Sequence, residues 1–453
     1  MGANLHHEVK RRRPEPELAR SQIEPPCYAA GTPLERTTRW LAVLTGFSIP
    51  LSTSFSEIVT GLFMACWLLS GNLSAKWNVI RRNIVALLSL ILFGLLLAGM
   101  SWSSETWESA GRCVLKYREL IYVPMFIVVF RDPRLRGLAT YSYIVAATIL
   151  LALSYGEWLS GADFGISSTN DYVIAKDRII HSLMMAFLVY LSAVEFGQAR
   201  SRAPSGGWQR HAHWLYAGIM ALAAYNILFM VQGRTGYLLL GALVTLFLCQ
   251  RLGKRGVAIA CLVVGATAWG ALTFSTLIRA RVDQTIAQIR NQFGPQRRHS
   301  PDPRLEFYAN TLRLIGRHPL CGTGTGSFRA EYARLVADTQ DIPTSDPHNE
   351  YMHLAAQVGL PGAGLFIALL AVQWFAARRL TGSEMQMGRG IVLTIALGSL
   401  FNSLILSMTG GLIYAYFSGV AFAGLADEPE TGASQADNPP AAVEPNSCQR
   451  SAA

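Results

Sequence analysis

The stretch "SDPHNEYMHLAAQVGLPG", residues 345–362, opens an apolar run on His, Asn and Glu, just after Asp-Pro. An imidazole in such a setting can take a proton from a weak nucleophile such as a hydroxyl. The spacing predicts a helix with Asp346 as N-cap, Pro347 in the first position and His348 in the next. In that register the positive end of the helix dipole disfavours imidazolium and leaves His348 a neutral base. The plainer role, a histidine that helps cap its helix, stays open on spacing alone. Asp346 and Glu350 each lie close enough in sequence to orient it, and His353, five residues on, reads as structural.

Two arginines could supply fixed positive charge. Arg234 in "FMVQGRTGYLLLG" falls in a turn of a few residues between apolar runs, where an ionisable group points to function or to a side chain snorkelling to headgroups. Residues 279–348 contain ten arginines, Arg304 among them, and no lysine. The guanidinium fork suits phosphate oxygens, so this loop favours an anionic ligand. Arg112, Lys116 and Arg118 in "GRCVLKYREL", and Arg178 and His181 in "KDRIIHS", could line the same mouth or anchor to headgroups. In "HPLCGTGTGSF", residues 318–328, Gly322, Gly324 and Gly326 read as a tight loop using positive φ.

The elements that must position these residues follow from composition. The chain has 453 residues, 51% hydrophobic and 15% charged, with mean hydropathy +0.28. A soluble protein carries about 25% charge. Twelve apolar windows stand out, near 40–53, 55–70, 84–100, 117–130, 138–159, 179–196, 213–231, 236–250, 256–278, 353–376, 391–407 and 410–426. They predict an all-α integral membrane protein of about 12 transmembrane helices, since such runs are too long for barrel strands. A helical periplasmic loop falls between spans 9 and 10.

The net charge of +10 comes from arginines and lysines that alternate with the windows, which places both termini in the cytoplasm rather than indicating nucleic acid. Residues 1–37 read as a disordered basic arm, 38–426 as the membrane domain with its loop at 279–347, and 427–453 as a disordered tail. Within the loop, 279–293, 302–320 and 327–338 show amphipathic helical spacing, with Asp302 and Pro303 starting the second stretch. The seven cysteines show neither disulfide nor metal spacing.

"HPLCGTGTGSF" followed some twenty residues later by "HNEYMHLAAQVGLPG" resembles the paired signature of the O-antigen ligase and polymerase superfamily. Arg234 in "GRTGYL" and Arg304 in "DPRLEFY" match arginines of that family. The resemblance covers roughly 40–426. It implies an inner-membrane glycosyltransferase of lipopolysaccharide biosynthesis, working at the periplasmic face. The donor would be a glycan on undecaprenyl pyrophosphate, and the acceptor a sugar hydroxyl of lipid A–core. The resemblance implies an inverting reaction without metal or other cofactor, with His348 as general base and Arg234 and Arg304 binding the pyrophosphate. Asn349 belongs to the same motif as a supporting residue. An O-antigen polymerase or a protein O-oligosaccharyltransferase would need the same residues. A secondary transporter would instead want charged or broken helices at the midplane and repeat symmetry.

Overall fold

The structure, a computed structural model, describes residues 32–161, 172–174, 176–201, 211–231, 233–274 and 303–427, together with positions 279, 280, 283 and 286. The expectations for residues 1–31, for the tail after 427, for Asp302 and for most of the amphipathic stretch 279–293 lie outside the described residues.

The described chain is all-α. Its elements are α1 (Pro33–Leu51), α2 (Thr53–Leu69), α3 (Leu73–Arg82), α4 (Ile84–Ala98), α5 (Trp107–Leu115), α6 (Glu119–Val129), α7 (Pro133–Ser160) and α8 (Arg178–Ser201). There follow α9 (Ala212–Tyr225), α10 (Arg234–Leu252), α11 (Lys254–Phe274), α12 (Arg304–Arg317), α13 (Phe328–Val336), α14 (Glu350–Ala376), α15 (Gly382–Gly398) and α16 (Met408–Phe422). Helix α1 begins inside the segment read as a disordered arm. Thr32 and Glu35 form a reciprocal capping box there, with Pro33 in the first turn, so the chain turns helical before the apolar run begins.

Each apolar window holds a helix, but the count of about twelve spans is not reached. Among the described residues seven helices are long and apolar enough to cross a membrane, or eight if the bent pair α2 and α3 is taken as one span. The shortfall has local causes. Helix α6 has 11 residues because a turn at 116–118 separates it from α5. Helices α2 and α15 have 17 each, and α1 starts on the polar segment "PLERTTR".

Helices α8 and α16 form the centre: 83% of each apolar window is buried, against 28% for the span that begins with α9. Helix α16 lies along α6 and α15, while α1 runs beside α2 and α7. Close approach is made possible by small residues. A Cβ on Gly419 would collide with Phe126, and one on Gly390 with Tyr190.

The bundle has two distinct ends. At one, Arg136 pairs with Glu384 at 2.6 Å and Asn83 donates to the carbonyl of Phe422. At the other, the turns after α4 and α15 meet the segment between α11 and α14. Helices α12 and α13 of that segment pack over the start of α14 through Phe307, Leu314, Phe328 and Tyr332. The second and third amphipathic stretches of the loop are therefore helices, although α12 is entered through Pro303, which makes no side-chain cap.

Candidate active site around His348

Helix α14 starts later than its sequence suggests. Its N-cap is Asn349, whose side-chain oxygen accepts from Met352 N at 3.0 Å while its amide donates to the carbonyl of Leu400 at 3.1 Å. Asp346 is not the cap. It makes a local turn instead, accepting from His348 N at 2.8 Å and from Ser403 Oγ at 2.6 Å. His348 therefore stands outside the helix, in the left-handed region at φ 56°. The register expected from the sequence, with Asp346 as cap and His348 in the first turn, does not form.

A left-handed non-glycine residue costs on the order of 1 kcal/mol and persists only where its surroundings impose it. Here they do. The ring stacks on Phe307 of α12, with centroids 6.1 Å apart, and Tyr308 Oη donates to the His348 carbonyl at 3.3 Å and to that of Leu400 at 3.0 Å. Nδ1 is buried, makes no hydrogen bond and lies 3.7 Å from Asp346 Oδ2, while the side chain as a whole is 36% exposed. The exposed edge of the ring is thus the one away from Nδ1. A carboxylate behind and an open edge in front is the arrangement of an oriented proton acceptor.

Behind this site lies a closed polar network. Glu350 is fully buried; its Oε2 accepts from Ile405 N at 2.8 Å and Leu406 N at 3.1 Å, and its Oε1 from Tyr117 Oη at 3.0 Å. Tyr117 Oη is also 3.2 Å from His353 Nδ1, and His353 Nε2 is 3.4 Å from Gln357 Nε2. Gln357 Oε1 accepts from Gly326 N at 2.8 Å and from the Cys113 thiol at 3.1 Å. Burial pushes that thiol up to about 11, so it keeps the proton it donates. Glu350 is consequently a structural acceptor here, and His353 is structural as the sequence suggested.

The glycine loop docks into a break in α14. Val358 and Gly359 leave helical geometry, with Gly359 at φ 75°. The carbonyls of Ala356 and Gln357, freed by the break, accept from Thr323 N and Gly324 N, both at 2.8 Å. Gly322, Gly324 and Gly326 all have positive φ, and a Cβ on Gly324 would collide with the backbone of Ser103. The loop supplies the backbone partners that the broken helix lacks.

The arginines fall into two groups. Arg304 is the first residue of α12, half-buried and one turn before Tyr308, so it shares an element with the residues that hold His348. Arg234 is the first residue of α10 and is exposed. A Cβ on the adjacent Gly233 would lie 3.9 Å from the Arg178 carbonyl oxygen, so Arg178 and Arg234 open neighbouring helices at the same end. Lys176, two residues before Arg178, donates through Nζ to Thr53 Oγ1 at 2.9 Å and Thr409 Oγ1 at 3.2 Å; burial pushes its ammonium down to about 8.

Other sequence candidates have different employment. Arg112 is exposed and pairs with Glu108 one turn earlier. Lys116 is an exposed residue at the end of α5. Arg118 pairs with Glu57 at 3.1 Å and Glu119 at 3.6 Å. His181 does not line a mouth: it is fully buried, with Nε2 3.1 Å from Asn226 Oδ1 in a core chain that continues to Ser154. Sequence reasoning missed Ser403, Tyr117 and Lys176. Lys176, beside Asp177 and Arg178 at the start of an apolar run, carried a readable signal; Ser403 and Tyr117 look like ordinary residues of apolar windows.

Among the described residues no group of three or more His, Cys, Asp and Glu side chains converges on a metal-sized site. No curated protein matches the chain. Residues 218–367, which hold Arg234, Arg304, the glycine loop and His348, match the family model described as O-antigen ligase, and in this segment the chain is similar to a domain family of ligases, polymerases and O-oligosaccharyltransferases that transfer lipid-linked O-antigen-type glycans.

Proposed function

We propose that this protein is an O-antigen ligase, moving a polysaccharide from undecaprenyl pyrophosphate to a sugar hydroxyl of lipid A–core. The observation that carries the reading is the placement of His348: outside its helix, braced by Phe307 and Tyr308, with Asp346 behind Nδ1 and the opposite ring edge open. The hydroxyl proton passes to Nε2 as the oxygen attacks the anomeric carbon. The anomeric carbon–oxygen bond breaks on the far side, so configuration inverts, and undecaprenyl pyrophosphate leaves with the electron pair. Asp346, 3.7 Å from Nδ1, stabilises the imidazolium. Arg234 and Arg304 offset the charge growing on the pyrophosphate.

The end of the bundle bearing Lys76, Arg81, Arg131, Arg134, Arg251 and Arg378 is the cytoplasmic one by the positive-inside pattern, and the His348 end faces the periplasm of a bacterial inner membrane. The test is a glycolipid gel from cells lacking the gene, complemented with wild type or His348→Ala. Bare lipid A–core with accumulation of long lipid-linked glycan in the variant supports the ligase. A core carrying one repeat indicates a polymerase. An unchanged ladder in the knockout indicates another acceptor, such as a protein hydroxyl.

A further inference from the structure

Helix α9 does not run out as an α-helix. It passes into a single π turn, Asn226–Met230, closed by a bond from Val231 N to the Asn226 carbonyl at 2.9 Å. A π turn holds one residue more than an α turn, is rare, and is frequent at functional sites. This one stands just before Gly233, the N-cap of α10, and Arg234, its first residue.

A buried chain of side chains imposes the turn. Ser154 of α7, His181 of α8 and Asn226 are all fully buried. Ser154 Oγ donates to the Tyr172 carbonyl at 2.7 Å. A carbonyl can only accept, so the direction of the whole chain follows from that end. Asn226 Nδ2 donates to Ser154 Oγ at 2.8 Å, which leaves Oδ1 as the acceptor. His181 Nε2, 3.1 Å from Oδ1, therefore carries the donated proton. The side chain that opens the π turn is thus tied to two neighbouring helices, and a satisfied buried network of this kind is rigid.

The turn bears directly on α10. A Cβ on Gly236 would lie 2.7 Å from Ser182 Cβ and 3.2 Å from Ile227 Cγ2, and one on Gly233 would lie 2.9 Å from Ser182 Oγ. The first turn of α10, which carries Arg234, is therefore seated on the residue after His181 and on the second residue of the π turn.

We propose that His181, Asn226 and Ser154 are positioning residues for Arg234: their hydrogen-bond chain holds the π turn, and the π turn sets the direction in which Arg234 meets the donor's pyrophosphate. The proposal rests on the reading of Arg234 as a pyrophosphate ligand.

The test is binding of undecaprenyl pyrophosphate to the full chain in detergent, read by native mass spectrometry, with a thermal melt on each variant. His181→Leu removes the proton donor. Ser154→Ala breaks the chain at its other end by the loss of one hydroxyl, and carries the test should His181→Leu not fold. His181→Gln returns an amide N–H in place of the ring N–H. His181→Leu and Ser154→Ala should each weaken binding about ten-fold, as for residues coupled in one network, and His181→Gln should bind within about two-fold of wild type. In an Arg234→Ala background neither loss should appear again, because the residue being positioned is gone. Losses that add in full to that of Arg234→Ala overturn the proposal and assign the chain to stability alone. Wild-type binding by folded His181→Leu or Ser154→Ala overturns it too, as does folded His181→Gln binding no better than His181→Leu. Undiminished binding by Arg234→Ala itself overturns the pyrophosphate reading, and this proposal with it.

Discussion

His348 and His353 are five residues apart, one just before α14 and one at its start, and their environments are opposed. His353 is 3% exposed and both ring nitrogens have partners, Tyr117 and Gln357. Phe328 meets its ring edge-on. His348 is over a third exposed, its Nδ1 has no hydrogen bond, and its backbone is held in the left-handed region, which is uncommon for a residue other than glycine. The first histidine has its hydrogen-bonding capacity used by the fold. The second is positioned by its backbone and one ring face, which leaves its nitrogens for something else. Within one motif, the site is told from the scaffold by what remains unsatisfied.

The sharpest way to break this contrast is to delete each ring in turn. His348→Ala should lower transfer by about 10²- to 10⁴-fold, the range for loss of a general base, with an unchanged thermal melt. His353→Ala should do the reverse, lowering stability by about 1–3 kcal/mol for the orphaned groups around it while sparing the rate per folded molecule. Equal losses of transfer in both, with both stably folded, would end the distinction.

Next in size, Arg304→Lys and Arg234→Lys should each reduce transfer by about 10²-fold, since a point charge cannot reproduce the guanidinium fork on a pyrophosphate. Wild-type rates in a transfer assay would assign those side chains to headgroups. Gly324→Ala tests the scaffold side. It forces a Cβ into Ser103 at a positive φ, and should lower the melting temperature and the yield of folded protein. Glu350→Gln should destabilise by about 1–3 kcal/mol, because one of its two accepting oxygens becomes a donor facing donors. The smallest effect is expected for Tyr308→Phe, which removes a hydrogen bond to the His348 carbonyl and should cost about 0.5–1.5 kcal/mol, read as a shifted melt with a modest loss of rate.

The parts of this molecule that composition controls were readable: apolar windows became helices, the glycines of residues 318–328 became positive-φ positions, and the second and third amphipathic stretches of the loop folded as helices over the start of α14. Cap competition was not readable. Asp346 and Asn349 are both good N-caps, and which one wins depends on Ser403, Leu400 and Ser399, more than fifty residues away in the chain from Asp346. That choice moved His348 out of the first helical turn. The roles of Arg118 and His181 were also out of reach, because Glu57 and Asn226 become their partners only through packing. The span count is not confirmed for a related reason: hydropathy cannot see that a turn at 116–118 trims the start of a window and leaves α6 with 11 residues.

The break in α14 has a mechanical consequence. Because the glycine loop completes the hydrogen bonding of the broken span, the covering segment and the membrane helix are one piece rather than a hinged pair. Residues 318–328 cannot lift away without stranding the carbonyls of Ala356 and Gln357. The amides of Thr323 and Gly324 should then exchange with solvent as slowly as those of the helix itself. Whatever approaches His348 meets a roof whose rear edge is fixed.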